Sequence, residues 1–184
     1  QILKYDQVVI ACHSDQALAL LDDPTEEERS ALSSIPYQQN DVVLHTDESL
    51  LPRARRAWSS WNYLLKKRFQ ERAVLSYDMN ILQGISSKTT FCVTLNATDL
   101  ISENKIIEKF HYSHPVFSLE SISAAERINQ LNGTLNTWFA GAYLGNGFHE
   151  DGVKSGLRVA ELINILPNLN KQNNKPKAAA SAYA

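Results

Sequence analysis

The sequence predicts a mixed α+β fold: a mainly antiparallel sheet with helices, and a strand–turn–helix unit at each end of the chain. Three observations lead there. From Tyr37 the hydrophobic period shortens, and β-rich runs alternate with polar or Pro/Gly-containing breaks, which favours antiparallel neighbours. The opening "YDQVVIACHSDQALALL" reads as strand, turn and helix, and the stretch from Asn136 repeats that order. A length of 184 residues suits one domain or slightly more, with room for a proper core.

Taken in order, Val8 to Cys12 is a continuous apolar run of the kind found in a strand buried on both faces. Ser14 or Asp15 can cap a helix through Leu21. "DDPTEEERSALSSIP" is a second helix, with Pro24 and acidic residues at its start and Pro36 beyond its end. "NDVVLHTD", "RAWSSWNYLL", "RAVLSYDMNIL" and "TTFCVTLN" are four strand candidates. "IIEKFHYSHPVFS" begins as a helix end or strand and becomes extended before Pro115. Ser121 to Leu131 reads as a helix closed by Asn132-Gly133. "NTWFAGAYLG" is a strand feeding a glycine cluster, and Val153, Leu157 and Ala160 recur at helical spacing in the last helix. After Pro167 no periodic pattern remains, and 167–184 reads as a disordered tail.

Composition closes off several classes. Hydrophobic content of 43% and charge of 21% are ordinary for a globular chain. Net charge is −2 and the pI is near 6.2, so no general basic field for nucleic acid exists. "RARR" (Arg53 to Arg56) and "KKR" (Lys66 to Arg68) are local exceptions and read as solvated faces. Cys12 and Cys92 lie in apolar runs, as buried free thiols of a reducing, cytoplasmic compartment would. Apolar runs stay far below the ~20 residues of a membrane span, and no secretory signal opens the chain. Entering a strand within a few residues of Gln1 leads us to expect a piece of something longer.

"GAYLGNGFHEDGVKSG" holds five of the seven glycines. A strand, a glycine-rich turn and a helix N-terminus bring backbone N–H groups onto an anion or polar ligand edge. The spacing is not that of a dinucleotide fingerprint, and the P-loop lysine is missing. A tight turn with close helix packing explains the glycines equally well. Gly152 and Gly156 each sacrifice about 1 kcal/mol relative to alanine inside a helix. His149-Glu150-Asp151 point in divergent directions and lack zinc-protease spacing, so capping is the better reading. His111 with His114, and Cys12 with His13, likewise fail as paired ligands or as a nucleophile–base pair. Trp61 and Tyr63 share one face of their strand while Trp58 takes the other, a set suited to a core or to the walls of a flat ligand.

"TWFAGAYLGNGFHEDGVKSGLRVA" resembles the C-terminal flavin-binding segment of the flavin-containing amine oxidase superfamily, which also includes protoporphyrinogen oxidase and phytoene desaturase. "WFAG" (Trp138 to Gly141) and "EDGVKSGLRVA" (Glu150 to Ala160) stand where that superfamily has "YFAG" and "EGAVxSGxxAA". "VVLHTDESLLP", "RRAWSSWNY", "FCVTLN" and "YSHPVF" are similar to a bacterial subgroup of NAD/FAD-binding, amine-oxidase-like proteins. The resemblance covers nearly the whole chain except the tail. Similar sequences precede cyclopropane-fatty-acid synthase domains in some plant proteins, which hints at lipid chemistry.

The resemblance implies the C-terminal portion of an FAD-dependent oxidoreductase that transfers hydride from substrate to flavin. Residues 1–24 and 137–166 would belong to a Rossmann-like FAD-binding domain, and 25–136 to a substrate domain. The N-terminal half with GxGxxG, which would hold the ADP part of FAD, is absent from this sequence. Gly141, Gly145, Gly147, Phe148, His149, Glu150, Asp151, Gly152 and Val153 would lie at the flavin. Trp61, Tyr63, Tyr143 and Phe148 would wall a cavity for a small-molecule or lipid substrate. Ala142 stands where many relatives carry a glutamate, no lysine (Lys88 included) matches the one that amine oxidases link to the flavin through water, and the catalytic residues stay unassigned. A non-catalytic binding or structural remnant is the competing reading.

Overall fold

The computed structural model describes residues 2–65 and 72–173, with 165–173 as backbone only. Two compact units are present: one is continuous, Tyr37–His114, and the other joins Gln1–Pro36 to the chain from Pro115 onward. The changeovers fall at Pro36/Tyr37 and His114/Pro115, not at the 24/25 and 136/137 boundaries drawn from sequence. Helix packing is the reason: the helices on either side of the insertion pack on each other in the first unit.

In that unit, β1 (Val8–Ile10) pairs in parallel with β7 (Thr137–Phe139). β1 is shorter than expected, and it is not covered on both faces: Val8 and Val9 are 45% and 48% exposed. A two-stranded parallel pair lacks the flanking strands and helices that normally bury such a run. α1 (Ser14–Leu20) takes its N-cap from His13, one residue earlier than expected, with the His13 amide donating to Gln16 Oε1 at 3.3 Å. α2 (Glu26–Ser33) is closed by a capping box. Its Thr25 amide donates to Glu28 Oε2 at 2.8 Å, and the Glu28 amide donates to Thr25 Oγ1 at 3.2 Å. α4 (Leu119–Leu131) starts on a Ser118 cap. The α2–α4 pair buries Ala31, Leu32, Ala124 and Ile128, and Arg127 on α4 donates to Ser30 and Ser34 on α2.

α5 (His149–Asn173) seats Val159, Leu162 and Ile163 against Trp138 and Ala140 of the β7 region. Trp138 is 2% exposed, and its indole donates to Gln7 Oε1 at 2.5 Å. Truncating a buried tryptophan of this kind costs about 3–5 kcal/mol. The helix runs through Pro167, so 167–173 is helical and not the disordered tail expected. A proline removes one backbone donor, and that penalty stays local. Residues 174–184 lie outside the described residues.

Tyr37–His114 forms a five-stranded sheet of order β3-β4-β5-β2-β6: β3 Trp61–Leu64, β4 Val74–Asp78, β5 Cys92–Leu95, β2 Tyr37–His45 and β6 Ile106–Pro115. The β3–β4, β4–β5 and β2–β5 pairs are antiparallel, as the period-2 runs required. Only the second half of "RAWSSWNYLL" is strand; Arg55–Ala57 is a 3-10 turn before it. "MNILQ" forms a short helix, α3 (Met79–Gln83), because the Asp78 carboxylate accepts the Ile81 amide at 3.1 Å and ends the strand. Among the described residues no helix is long and apolar enough to cross a membrane.

Candidate functional site

The glycine cluster occupies the turn from β7 into α5. The Ala140 amide continues the β1–β7 ladder by donating to the Ile10 carbonyl, and the Gly141 amide donates to Ser155 Oγ at 2.9 Å. The loop then folds on itself, with Gly145 and Gly147 amides both donating to the Ala142 carbonyl at 3.1 Å. Asp151, the third residue of α5, closes the turn that leads into the helix. Its Oδ2 accepts the Phe148 amide at 3.0 Å and the Asn146 amide at 3.1 Å, while the Asp151 amide donates back to the Phe148 carbonyl. In the triplet His149-Glu150-Asp151, Asp151 therefore ties down the preceding loop, and Glu150 pairs with Lys154 one turn on, at 3.7 Å on the surface.

The chain's own packing accounts for three of the glycines. A Cβ on Gly141 would stand 2.5 Å from the Tyr143 ring, and one on Gly145 would stand 2.7 Å from the Asp151 carboxylate. Gly147 has a φ of +84°, a left-handed value that favours glycine, and sits on the Phe117 ring. Gly152 and Gly156 are different. A Cβ on Gly152 would meet the Ala142 nitrogen at an ordinary 3.8 Å, and one on Gly156 would meet nothing within 4 Å. Beside them, at the first two positions of α5, the amides of His149 and Glu150 have no acceptor among the described residues. Phe148 and Val153 are about half exposed on the same turn of chain. Tyr143 is buried, with its ring over Gly141, so it stands behind this surface and does not line an open wall.

The sequence-assigned residues from Gly141 to Val153 thus come together on one loop and one helix start. Trp61 and Tyr63 lie in the other unit, on the sheet. Strand register sorts that sheet into two faces, one of which sets buried polar groups among Val43, Val74 and Cys92. Asn62, Ser76, Thr94 and Val43 form one row, and Asp78, Cys92 and His45 the next; all seven are buried. On the opposite face, Trp61, Tyr77, Val93 and Leu44 form one row, and Tyr63, Leu75, Leu95 and Val42 the other. Trp61 and Tyr63 are 49% and 61% exposed, and Trp61 meets Tyr77 edge-on with ring centroids 5.5 Å apart. Burial pushes the Tyr77 phenol above its ordinary value.

The buried polar face is a hydrogen-bonded network that sequence reasoning missed. His45 Nδ1 accepts the Asp47 amide at 3.0 Å, so the neutral ring carries its proton on Nε2, 2.8 Å from Thr94 Oγ1; Ser76 Oγ follows at 2.7 Å. Burial, helped by Lys105 and opposed by Asp47, pushes the imidazole below its ordinary value. Asp47 accepts from the Ser49 and Ser102 amides and from Lys105 Nζ. Burial raises its carboxyl, but hydrogen bonds from Ser102, Ser49 and Lys105 overcome that and hold it well below the carboxylate range. Burial, with the negative charges of Asp78, Glu48 and Asp47, pushes the Cys92 thiol up to about 12, which leaves it inert. The other cysteine, Cys12, is half-buried and also free.

Among the basic residues, Arg53, Arg55 and Arg56 are exposed. Arg55 is held 3.0 Å from Glu48 and 4.7 Å over the Trp58 ring. Lys66 to Arg68 lie outside the described residues. No group of His, Cys, Asp and Glu suited to a metal ion occurs among the described residues.

No protein-family model matches the chain, and no curated protein matches it. Solved structures do. The chain is similar to a CLA-producing fatty acid isomerase from P. acnes, at 17% identity and a TM-score of 0.53, over 86% of this chain and 41% of that one. It is similar also to a protein from Exiguobacterium sp. 255-15 proposed to be a protoporphyrinogen oxidase, at 14% identity and a TM-score of 0.50, over 87% and 41%. At these identities the likeness establishes the fold. The chain spans about two fifths of the length of either structure.

Proposed function

We propose that this chain is the C-terminal portion of an FAD-dependent oxidoreductase of the amine-oxidase-like kind. The observation that carries the reading is the turn into α5. Two helix-start amides, His149 and Glu150, stand open beside Gly152, which lies at ordinary contact distance from Ala142, and Gly156, whose missing side chain leaves space that nothing in the described chain fills. That is the local chemistry a flat, electron-rich ring edge requires: N–H donors, the positive end of a helix, and room for close approach. The sequence resemblance supports the same assignment, and protoporphyrinogen oxidase, a member of the superfamily it points to, is the activity proposed for one structural neighbour.

FAD, when bound, would supply the hydride acceptor. The chain's own part is to hold and orient it. The His149 and Glu150 amides would donate to the ring edge, Phe148 and Val153 would flank it, and Asp151 would fix the loop that presents them. The pyrophosphate cradle is not in this sequence, so the ADP part would be held by an N-terminal half. The exposed Val8 and Val9 of β1 are where further parallel strands would attach. Trp61 and Tyr63 would wall the substrate side.

The test is spectroscopic. The longer protein should purify yellow, with flavin close to stoichiometric, whereas the 184-residue chain should retain little. Gly152→Glu in the longer protein should fold with native circular dichroism and lose its flavin. A colourless longer protein would favour the remnant reading, and undiminished flavin in the glutamate variant would remove the site from the turn.

A further inference from the structure

Two asparagines in this sequence precede a glycine, Asn132 and Asn146. That dipeptide carries a reaction of its own. The glycine backbone nitrogen gives up its proton to solvent base and attacks the asparagine Cγ. Ammonia leaves and a five-membered succinimide forms; water then opens the ring to isoaspartate or aspartate. Glycine favours the closure because it has no Cβ to obstruct it. The reaction consumes water and needs no other reagent.

The backbones of the two sites are alike. Gly133 and Gly147 both have left-handed φ values, +90° and +84°. Both amides are engaged: the Gly133 N–H donates to the Thr137 carbonyl at 2.9 Å, and the Gly147 N–H to the Ala142 carbonyl at 3.1 Å. The side chains differ. Asn132 is clamped at both ends, its Oδ1 accepting the Phe139 amide at 2.6 Å and its Nδ2 donating to the Phe139 carbonyl at 3.2 Å. Its Cγ cannot swing onto the Gly133 nitrogen until both bonds break. Asn146 is exposed, and its side-chain amide makes no hydrogen bond among the described residues.

We infer that Asn146 is a site of spontaneous deamidation, and that the fold protects Asn132 from the same reaction. The place of Asn146 gives the reaction a consequence. The amides of Asn146 and Phe148 lie on either side of Gly147 and both donate to Asp151 Oδ2, at 3.1 and 3.0 Å. Isoaspartate routes the main chain through the side-chain carbons and so adds one carbon between those two donors. A single carboxylate oxygen then no longer holds both, and the turn into α5 loosens as the protein ages. In the longer protein the loosened turn would also hold flavin less well. That last step alone rests on the flavin reading.

The experiment needs no flavin, so its outcome is separable from that of the cofactor test. The 184-residue chain is incubated in mildly alkaline buffer, folded and in urea. It is then digested at mildly acidic pH and sequenced by tandem mass spectrometry. In the folded chain the mass gain from amide to acid should appear at Asn146 about tenfold faster than at Asn132, or more, since breaking hydrogen bonds of ordinary strength slows a rate by that order. In urea the two rates should become similar. The Phe148 amide of the converted chain should exchange its hydrogen several-fold faster than in fresh protein. An Asn146 that keeps its amide as long as Asn132 does would overturn the inference. A difference that persists unchanged in urea would overturn the protection by the fold, and unaltered Phe148 exchange would overturn the link to α5.

Discussion

His45 shows what a buried side chain can do to the pH response of a fold. Its Nδ1 already accepts the Asp47 amide, so a second proton has no place except against that N–H. The folded value lies below the unfolded value of about 6.5. The unfolded chain therefore binds more protons than the folded one in that window, and stability is present above the unfolded value and lost as pH falls toward the folded one. Asp47 has the same sign, with its loss confined to more acid conditions, below about pH 4. Thermal midpoints should fall between about pH 7.5 and about pH 5, and His45→Gln should flatten that fall; an unchanged slope in the variant would assign the loss to another group. The helical glycines give a second residue-scale test. Alanine at Gly156 meets no neighbour within 4 Å, so Gly156→Ala should stabilise the chain by about 0.5–1 kcal/mol in urea unfolding. In the longer protein the same change should lower flavin content. A destabilised Gly156→Ala chain would mean that its space is already taken.

At the scale of elements, α5 depends on one carboxylate. Asp151 satisfies two amides of the preceding loop, so Asp151→Ala should cost about 1 kcal/mol or somewhat more, and Asp151→Asn less, by equilibrium denaturation. Equal losses in the two variants would point to charge at the helix start and away from the hydrogen bonds. Much at this scale could be read from the sequence. Caps and proline punctuation located α2 and α4, and period-2 runs located β2, β4 and β5. The last helix, with its glycine turn, came from spacing and was sharpened by resemblance. What could not be read has physical causes. α3 hides inside an apolar run, where a short helix and the end of a strand look alike, and only the Asp78 side chain separates them. The covering of β1 was misjudged because an apolar run reports what a strand is built for, and Val8 and Val9 remain exposed in this chain. The buried polar network was missed for a deeper reason. Alternation in "VLSYD" shows that two faces differ, but it does not say which one turns inward. Apolar-in is the default, and Ser76, Asp78, Thr94 and His45 break it together through bonds that cross strands far apart in sequence.

For the whole molecule, the path of the chain makes a statement about independence. The two ends of Tyr37–His114 lie side by side. Gln39 Nε2 donates to Ser113 Oγ at 2.6 Å, and Asn40 Nδ2 lies 3.0 Å from His114 Nδ1, so the ends of the segment already touch. A segment whose ends meet can be inserted with little loop-closure cost, and it can be removed the same way. Its interior is closed by its own network: Asp47 ties the 45–49 turn to Ser102 and Lys105, and Asn96 binds Asn40 and the Ala73 carbonyl. The excised Tyr37–His114 segment should therefore give a β-rich circular dichroism spectrum and a single cooperative unfolding transition. Its apolar core is small for its length, so stability should be low, a few kcal/mol at most. Asp47→Ala should abolish the transition in the excised segment, because the buried carboxylate is removed together with three bonds from the Ser49 and Ser102 amides and Lys105 Nζ, each worth about 1.5–3 kcal/mol as bonds to a charged group. In the complete chain the same substitution should leave α2, α4 and α5 protected in hydrogen exchange. A disordered excised segment, or loss of protection in those helices, would mean that the sheet is held by the first unit and not by its own network.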